Sequence, residues 1–158
     1  MKRTLRNRFG IIVASGLLLL SMGAAATSKV GVTSTKPIAI KVYKTPQCGC
    51  CKGWVQHLRA NGFQVETMDM PDLSMIKQKY GVAPALQACH TAIVNGYVVE
   101  GHVPADIILK MLKERPAVAG IAVPGMPSGS PGMDGGSKQA YDVLTFDRAG
   151  HTKVYAHK

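Results

Sequence analysis

The chain has 158 residues, 46% of them hydrophobic and 18% charged, with a formal charge of +10 at pH 7. That length suits a single domain with its own core. The lysines and arginines are scattered, with no block of like charge and no aromatic interleaving, which argues against nucleic acid as a partner.

Residues 1–26 read as an export signal. Lys2, Arg3, Arg6 and Arg8 give a cationic start, 11–22 form an apolar run, and Ala24-Ala25-Ala26 offers a small-residue cleavage pattern. The run is shorter than the roughly 20 residues a spanning helix needs. Cleavage before Thr27 leaves 132 residues with a charge of +6 and no further segment to insert stably in a membrane. The mature protein is expected outside the cytosol, in a compartment that permits disulfides.

Residues 27–37 are small and polar, a flexible lead-in to a domain spanning 38–158. A β-rich run over 38–43 ends at Thr45-Pro46. A helix is expected from about Cys48 to Asn61, because Cys51, Trp54, Val55 and Leu58 make one apolar stripe and Asn61-Gly62 is a left-handed stop. A second strand follows over 63–68, then a helix over 69–80, with Pro71 near its start and Gly81 past its end. The clearest local signal is a hairpin, 91–94 and 97–100 joined by Asn95-Gly96. Val103-Pro104 opens a third helix, with Ile107, Ile108, Met111 and Leu112 as its apolar face and Pro116 closing it. Residues 117–136 are rich in glycine and proline and read as irregular, and 141–146 with 152–156 read as a final hairpin. The order of elements predicts a small α/β layer fold with a mixed sheet packed by helices.

Three of the four cysteines lie together, Cys48-Gly49-Cys50-Cys51, with Lys52 next; Cys89 stands alone before the hairpin. Cys48 falls at a helix entrance, where unpaired N–H groups and the helix dipole favour a thiolate, and Lys52 adds a cation. Cys51, on the apolar stripe, is expected to face inward, and Cys50 to project to another side of the turn. If Cys89 packs against the helix entrance, four sulfurs meet. All-sulfur ligation selects Cu(I), zinc or iron–sulfur clusters. Structural zinc usually takes spaced ligand pairs, whereas Cu(I) accepts two or three thiolates and tolerates shared sulfurs. Export and soft donors together favour copper, as one or more Cu(I) ions.

Met126 and Met133 sit in the glycine/proline segment with no apolar periodicity to explain them, and are candidate thioether neighbours of the metal. Met111 reads as core, and Met68 and Met70 as core or edge packing. His90 is a candidate ligand or tuning group. His102 reads equally as a ligand or a cap, while His57, His151 and His157 read as surface residues.

Two other uses of the thiols compete with metal binding. Cys48 and Cys51 form a C-x-x-C pair at a helix entrance after a strand, as in a thiol–disulfide oxidoreductase in which Cys48 attacks and Cys51 resolves. Against this, Cys50 would compete for the mixed disulfide. A purely structural arrangement of two bridges needs at least one bridge inside the nest, where neighbouring cysteines meet disulfide geometry poorly.

Thr45-Pro46-x-Cys48-Gly49-Cys50-Cys51-x-x-Trp54 resembles the opening motif of a bacterial family first catalogued as of unknown function and linked to copper resistance, which includes the CopG-like periplasmic proteins. Cys89-His90-Thr91-Ala92, Glu100-Gly101-His102-Val103-Pro104-Ala105, and the run from Val123-Pro124-Gly125-Met126 to Pro131-Gly132-Met133 resemble it too. The likeness covers roughly residues 38–158. It implies a thioredoxin-like fold in the periplasm, copper held by Cys48, Cys50, Cys51 and Cys89, and a role in copper handling that extends to redox cycling between Cu(I) and Cu(II). It also implies other periplasmic copper-resistance proteins as partners. No catalytic residue is assigned. Ala83 and Ala88 depart from the Pro and Ser of many relatives, but neither removes a ligand.

Overall fold

The computed structural model describes residues 36–158. The expected signal over 1–26 and nearly all of the lead-in over 27–37 therefore lie outside the described residues. Among those described, no helix is long and apolar enough to cross a membrane.

Among the described residues, seven strands and three α-helices follow in order: β1 (Ile38–Lys44), α1 (Gly49–Ala60), β2 (Phe63–Asp69), α2 (Ser74–Lys79), β3 (His90–Val94), β4 (Tyr97–Glu100), α3 (Ala105–Glu114), β5 (Gly120–Ala122), β6 (Asp142–Phe146) and β7 (Thr152–His157). They build one sheet in the order β2-β1-β3-β4-β5-β6-β7. The β1/β2 and β4/β5 pairs are parallel and the others antiparallel. This is the mixed α/β architecture expected, consistent with a thioredoxin-like fold, and it ends in the expected hairpin.

Strand alternation sorts side chains to two faces. Ile40, Val42, Val94, Val99, Ile121 and Val143 join Trp54, Leu58, Ile108 and Met111 of α1 and α3 in the main core. On the other face Val98, Ala122 and Phe146 pack with Val82 and Leu86 in a smaller cluster. Met111 is fully buried, as its place on an apolar helix face requires.

Three local expectations need correction. The second helix is only six residues long. Met70 N–H donates to the Lys44 carbonyl, prolonging strand-like pairing, and Asp72 Oδ1 accepts from the backbone and hydroxyl of Ser74, so the helix starts there rather than at 69. Within the glycine/proline segment, Gly120–Ala122 forms a strand parallel to β4. Its signal is too short to read locally; pairing across the sheet creates it. His57 is half-buried rather than a surface residue. Its Nε2 accepts the N–H of Ala105 at 3.0 Å, which makes it the side-chain cap of α3.

Candidate metal centre

The turn after β1 delivers the trio to the mouth of α1. Cys48 N–H donates to the Thr45 carbonyl, and Cys48 itself is the N-cap, its sulfur accepting the N–H of Cys51 at 3.2 Å. This fills one of the unpaired donors of the first turn. Cys51 lies on the buried stripe with Trp54, Val55 and Leu58 and is fully enclosed, whereas Cys48 and Cys50 are partly exposed. The segment between Leu86 and β3 brings Cys89 across from the centre of the sheet.

The four sulfurs lie within 4.8 Å of one another. Cys50 Sγ is 3.4 Å from Cys48 Sγ, and Cys51 Sγ is 3.9 Å from the Cys89 carbonyl oxygen. Cys48 and Cys51 are joined by a disulfide, with Cα atoms 5.3 Å apart, and Cys50 and Cys89 are free. The expectation that neighbouring cysteines bridge poorly does not hold for this pair. One helical turn between i and i+3 supplies a Cα separation inside the range disulfides use.

A second donor group shares Cys89. Its sulfur is 3.0 Å from His102 Nε2 and 3.4 Å from His90 Nδ1. His102 Nδ1 sits 2.7 Å from the Pro131 carbonyl, an acceptor only, so Nδ1 carries the proton and the Nε2 lone pair faces the sulfur. His102 is thus fixed toward Cys89 and does not cap α3. Burial pushes its pKa down, opposed by the bond to Pro131. His90 is fully buried against Trp54, ring centroids 4.2 Å apart. Burial, with His102 and Lys77 nearby, holds it neutral, well below the usual imidazole range. His90 Nε2 is a buried polar atom without a partner among the described residues. Burial first, then the neighbouring Cys50, pushes the Cys89 thiol up to about 12. Without metal, Cys89 is therefore protonated and can donate to the waiting Nε2 of His102.

The glycine-rich segment covers this end of the molecule. Gly132 has φ +84°, and a Cβ there would lie 2.5 Å from both the Cys50 carbonyl and Trp54 N; a Cβ on Gly53 would meet the Gly132 Cα at 2.9 Å. Backbone packs on backbone, which only glycine permits. Met133 and Cys50 line a shallow groove between this segment and α1, while Met126 is more than half exposed. A larger cleft of about 700 Å³ lies elsewhere, against Tyr80 and Arg148, and no cysteine lines it. Met68 is exposed on edge strand β2 and contributes nothing to the core.

One feature of the site, the pairing of Glu100 with Lys77, had no signature in the sequence. Glu100 is fully buried on the face opposite Trp54. It accepts from Lys77 Nζ, from the Ala88 N–H at 2.7 Å and from Thr91 Oγ1 at 2.6 Å. Its place in an alternating strand predicts an inward residue there, and nothing in the local sequence pairs it with Lys77.

A family described as "Protein of unknown function, DUF411" matches residues 86–133, the stretch that holds Cys89, His90, Glu100 and His102 but not the trio. Two solved structures described as "Copper resistance protein copG", forms 2 and 1, are each 48% identical to this chain. They cover 78% of it, with 99% and 98% of their own lengths matched and TM-scores of 0.74 and 0.73. No curated protein matches the chain.

Proposed function

The chain belongs to the family of copper resistance protein CopG, and on that premise we propose that it is a periplasmic protein that holds Cu(I) through Cys48, Cys50, Cys51 and Cys89. A copper-related role follows from the family and the cysteine cluster. The observation that carries the finer reading is the convergence of four sulfurs, one from a distant segment, within 4.8 Å. Soft thiolates select a soft ion, and clustered sulfurs can be shared between ions. The export-like residues 1–26 support the periplasm.

Reduction of the Cys48–Cys51 bridge by a dithiol takes two electrons and two protons and returns both sulfurs to the donor set. Each thiol that then binds copper releases its proton. The His102 lone pair, which faces Cys89, and Met133, which lines the same groove as Cys50, are the further donors that would complete the coordination of an ion seated on Cys89 or Cys50. The role is copper homeostasis and resistance, including exchange with other periplasmic copper-resistance proteins. Redox cycling of the bound ion would draw on the same sulfurs, two Cu(II) ions taking one electron each as the Cys48 and Cys51 thiols close their bridge and release two protons. Anaerobic Cu(I) titration of the reduced protein, with metal analysis, tests the joint site. A Cys89→Ser variant that keeps full stoichiometry and affinity would overturn it.

The bridge itself favours a second reading, thiol–disulfide exchange. Cys48 is partly exposed and Cys51 enclosed, the arrangement in which one sulfur meets a substrate and the other resolves. In the reduced protein the Cys48 thiolate attacks a substrate disulfide and expels one substrate thiolate. Cys51 then displaces the second, leaving the Cys48–Cys51 bridge and a reduced substrate. Insulin reduction by the dithiol form measures this, and activity indifferent to Cys48→Ser would dismiss it.

A further inference from the structure

Cys89 has no element of its own. It lies between a single 3₁₀ turn (Pro84–Leu86) and the first residue of β3, and the α1 end of the site depends on its placement. What fixes this stretch from the opposite face of the sheet is a carboxylate. Glu100 Oε1 accepts the Ala88 N–H at 2.7 Å, one residue before Cys89, and the same oxygen takes Lys77 Nζ from α2. Oε2 accepts Thr91 Oγ1 at 2.6 Å, two residues after Cys89, and Lys77 Nζ also donates to that hydroxyl at 3.1 Å. The backbone adds to the grip, since Gly101 N–H donates to the His90 carbonyl at 3.1 Å. Both sides of Cys89 are therefore tied to one side chain.

Burying a carboxylate and an ammonium is expensive, and an apolar pair of similar volume often packs as well or better. Stability alone thus gives weak grounds for this cluster. Its geometry gives better ones: the three groups converge on the residues flanking the one sulfur that the chain brings in from a distance. We propose that Glu100, braced by Lys77 and Thr91, is the positioning residue for Cys89, holding its sulfur within reach of the trio and of His102. The consequence for copper rests on the four-sulfur reading; the consequence for the backbone does not.

The test is a double-mutant cycle on the reduced full-length protein, with Cu(I) affinity measured by chelator competition. Lys77→Met/Glu100→Leu replaces the buried charges together, so that neither is left unpaired. It is expected to weaken Cu(I) binding about tenfold or more when Cys89 is present. In a Cys89→Ser background the loss should shrink to less than about twofold, because Glu100 acts through that sulfur. Amide exchange in the metal-free protein is the second readout. The Ala88 amide should exchange at least about tenfold faster in the double variant, while the Val42 and Val99 amides keep their protection. Glu100→Gln made together with Lys77→Met retains an acceptor oxygen for Ala88, leaves no ammonium unpaired, and should stay within about threefold of wild type on both measures. Equal losses with and without Cys89, or an unaltered Ala88 amide, overturn the proposal. If Cys89→Ser binds copper as wild type does, the four-sulfur reading fails, and the Ala88 amide alone decides whether Glu100 holds this segment.

Discussion

Cys89 and His102 are thirteen residues apart in the chain, yet the sulfur of one lies 3.0 Å from Nε2 of the other. The Pro131 carbonyl, 2.7 Å from Nδ1, sets the tautomer that points the lone pair at the sulfur. The hairpin brings the two residues to one end of the sheet, and the covering segment orients the ring.

That relationship predicts a role for His102 in copper affinity. His102→Ala removes a lone pair aimed at the nest and leaves the Pro131 carbonyl without its donor. Cu(I) affinity, measured by chelator competition on reduced protein, is expected to fall about tenfold. An unchanged affinity would leave His102 a packing residue.

The bridge predicts a thiol count. Metal-free protein purified without reductant and unfolded in denaturant should show two thiols, Cys50 and Cys89, and four once it is also reduced. Cu(I) stoichiometry should rise on reduction, because thiolates and not disulfides bind the ion. Equal copper loading of oxidised and reduced protein would remove Cys48 and Cys51 from the site.

The covering segment predicts an asymmetry between two glycines. Gly132→Ala places a methyl group 2.5 Å from the Cys50 carbonyl at a left-handed φ. The conformation alone costs about 1–2 kcal/mol, and the clash adds to it by lifting the segment off α1. At Gly49 the space that a methyl group would fill is open, with nothing within 4 Å, so alanine should be accepted there without loss. Denaturant unfolding of both variants checks the pair, and a Gly132→Ala protein as stable as wild type would contradict the contact.

His57 predicts an acid-labile cap. Its Nε2 must be unprotonated to accept the Ala105 N–H, and burial holds its pKa below the ordinary value, against the opposing carboxylates of Asp106 and Asp134. The folded state disfavours the proton. The cap is therefore fully present above the unfolded value near 6.5 and is lost as pH falls through the lower folded value. Loss of such a cap costs about 1 kcal/mol. His90 and His102 are also held neutral by burial and add to the acid loss, so the informative quantity is the difference between wild type and His57→Gln. Stability measured from pH 8 to pH 5 should fall more steeply in wild type; parallel curves would exclude the cap.

Much of the fold is legible where local chemistry decides it. The stripe Cys51, Trp54, Val55 and Leu58 predicts both α1 and its buried face, and all four residues are buried. Asn95-Gly96 predicts the hairpin turn, and both residues adopt positive φ. The expected helix over 69–80 fails because capping by Asp72 and pairing of Met70 with β1 override its periodicity. β5 is invisible because three residues in a glycine-rich run become a strand only beside β4.

The order of residues suffices for the cysteine trio at a helix entrance, the inward direction of Cys51 and the likeness to a copper-resistance family, since each depends on residues close together in the chain. Folding in three dimensions was needed to bring Cys89 to the trio, to turn the lone pair of His102 on Cys89 and not on a helix end, and to join Glu100 and Lys77 under the Ala88 amide. Those contacts join separate strands, helices and loops. Their distances are set by sheet order and by the closure of both cores, which no local pattern encodes.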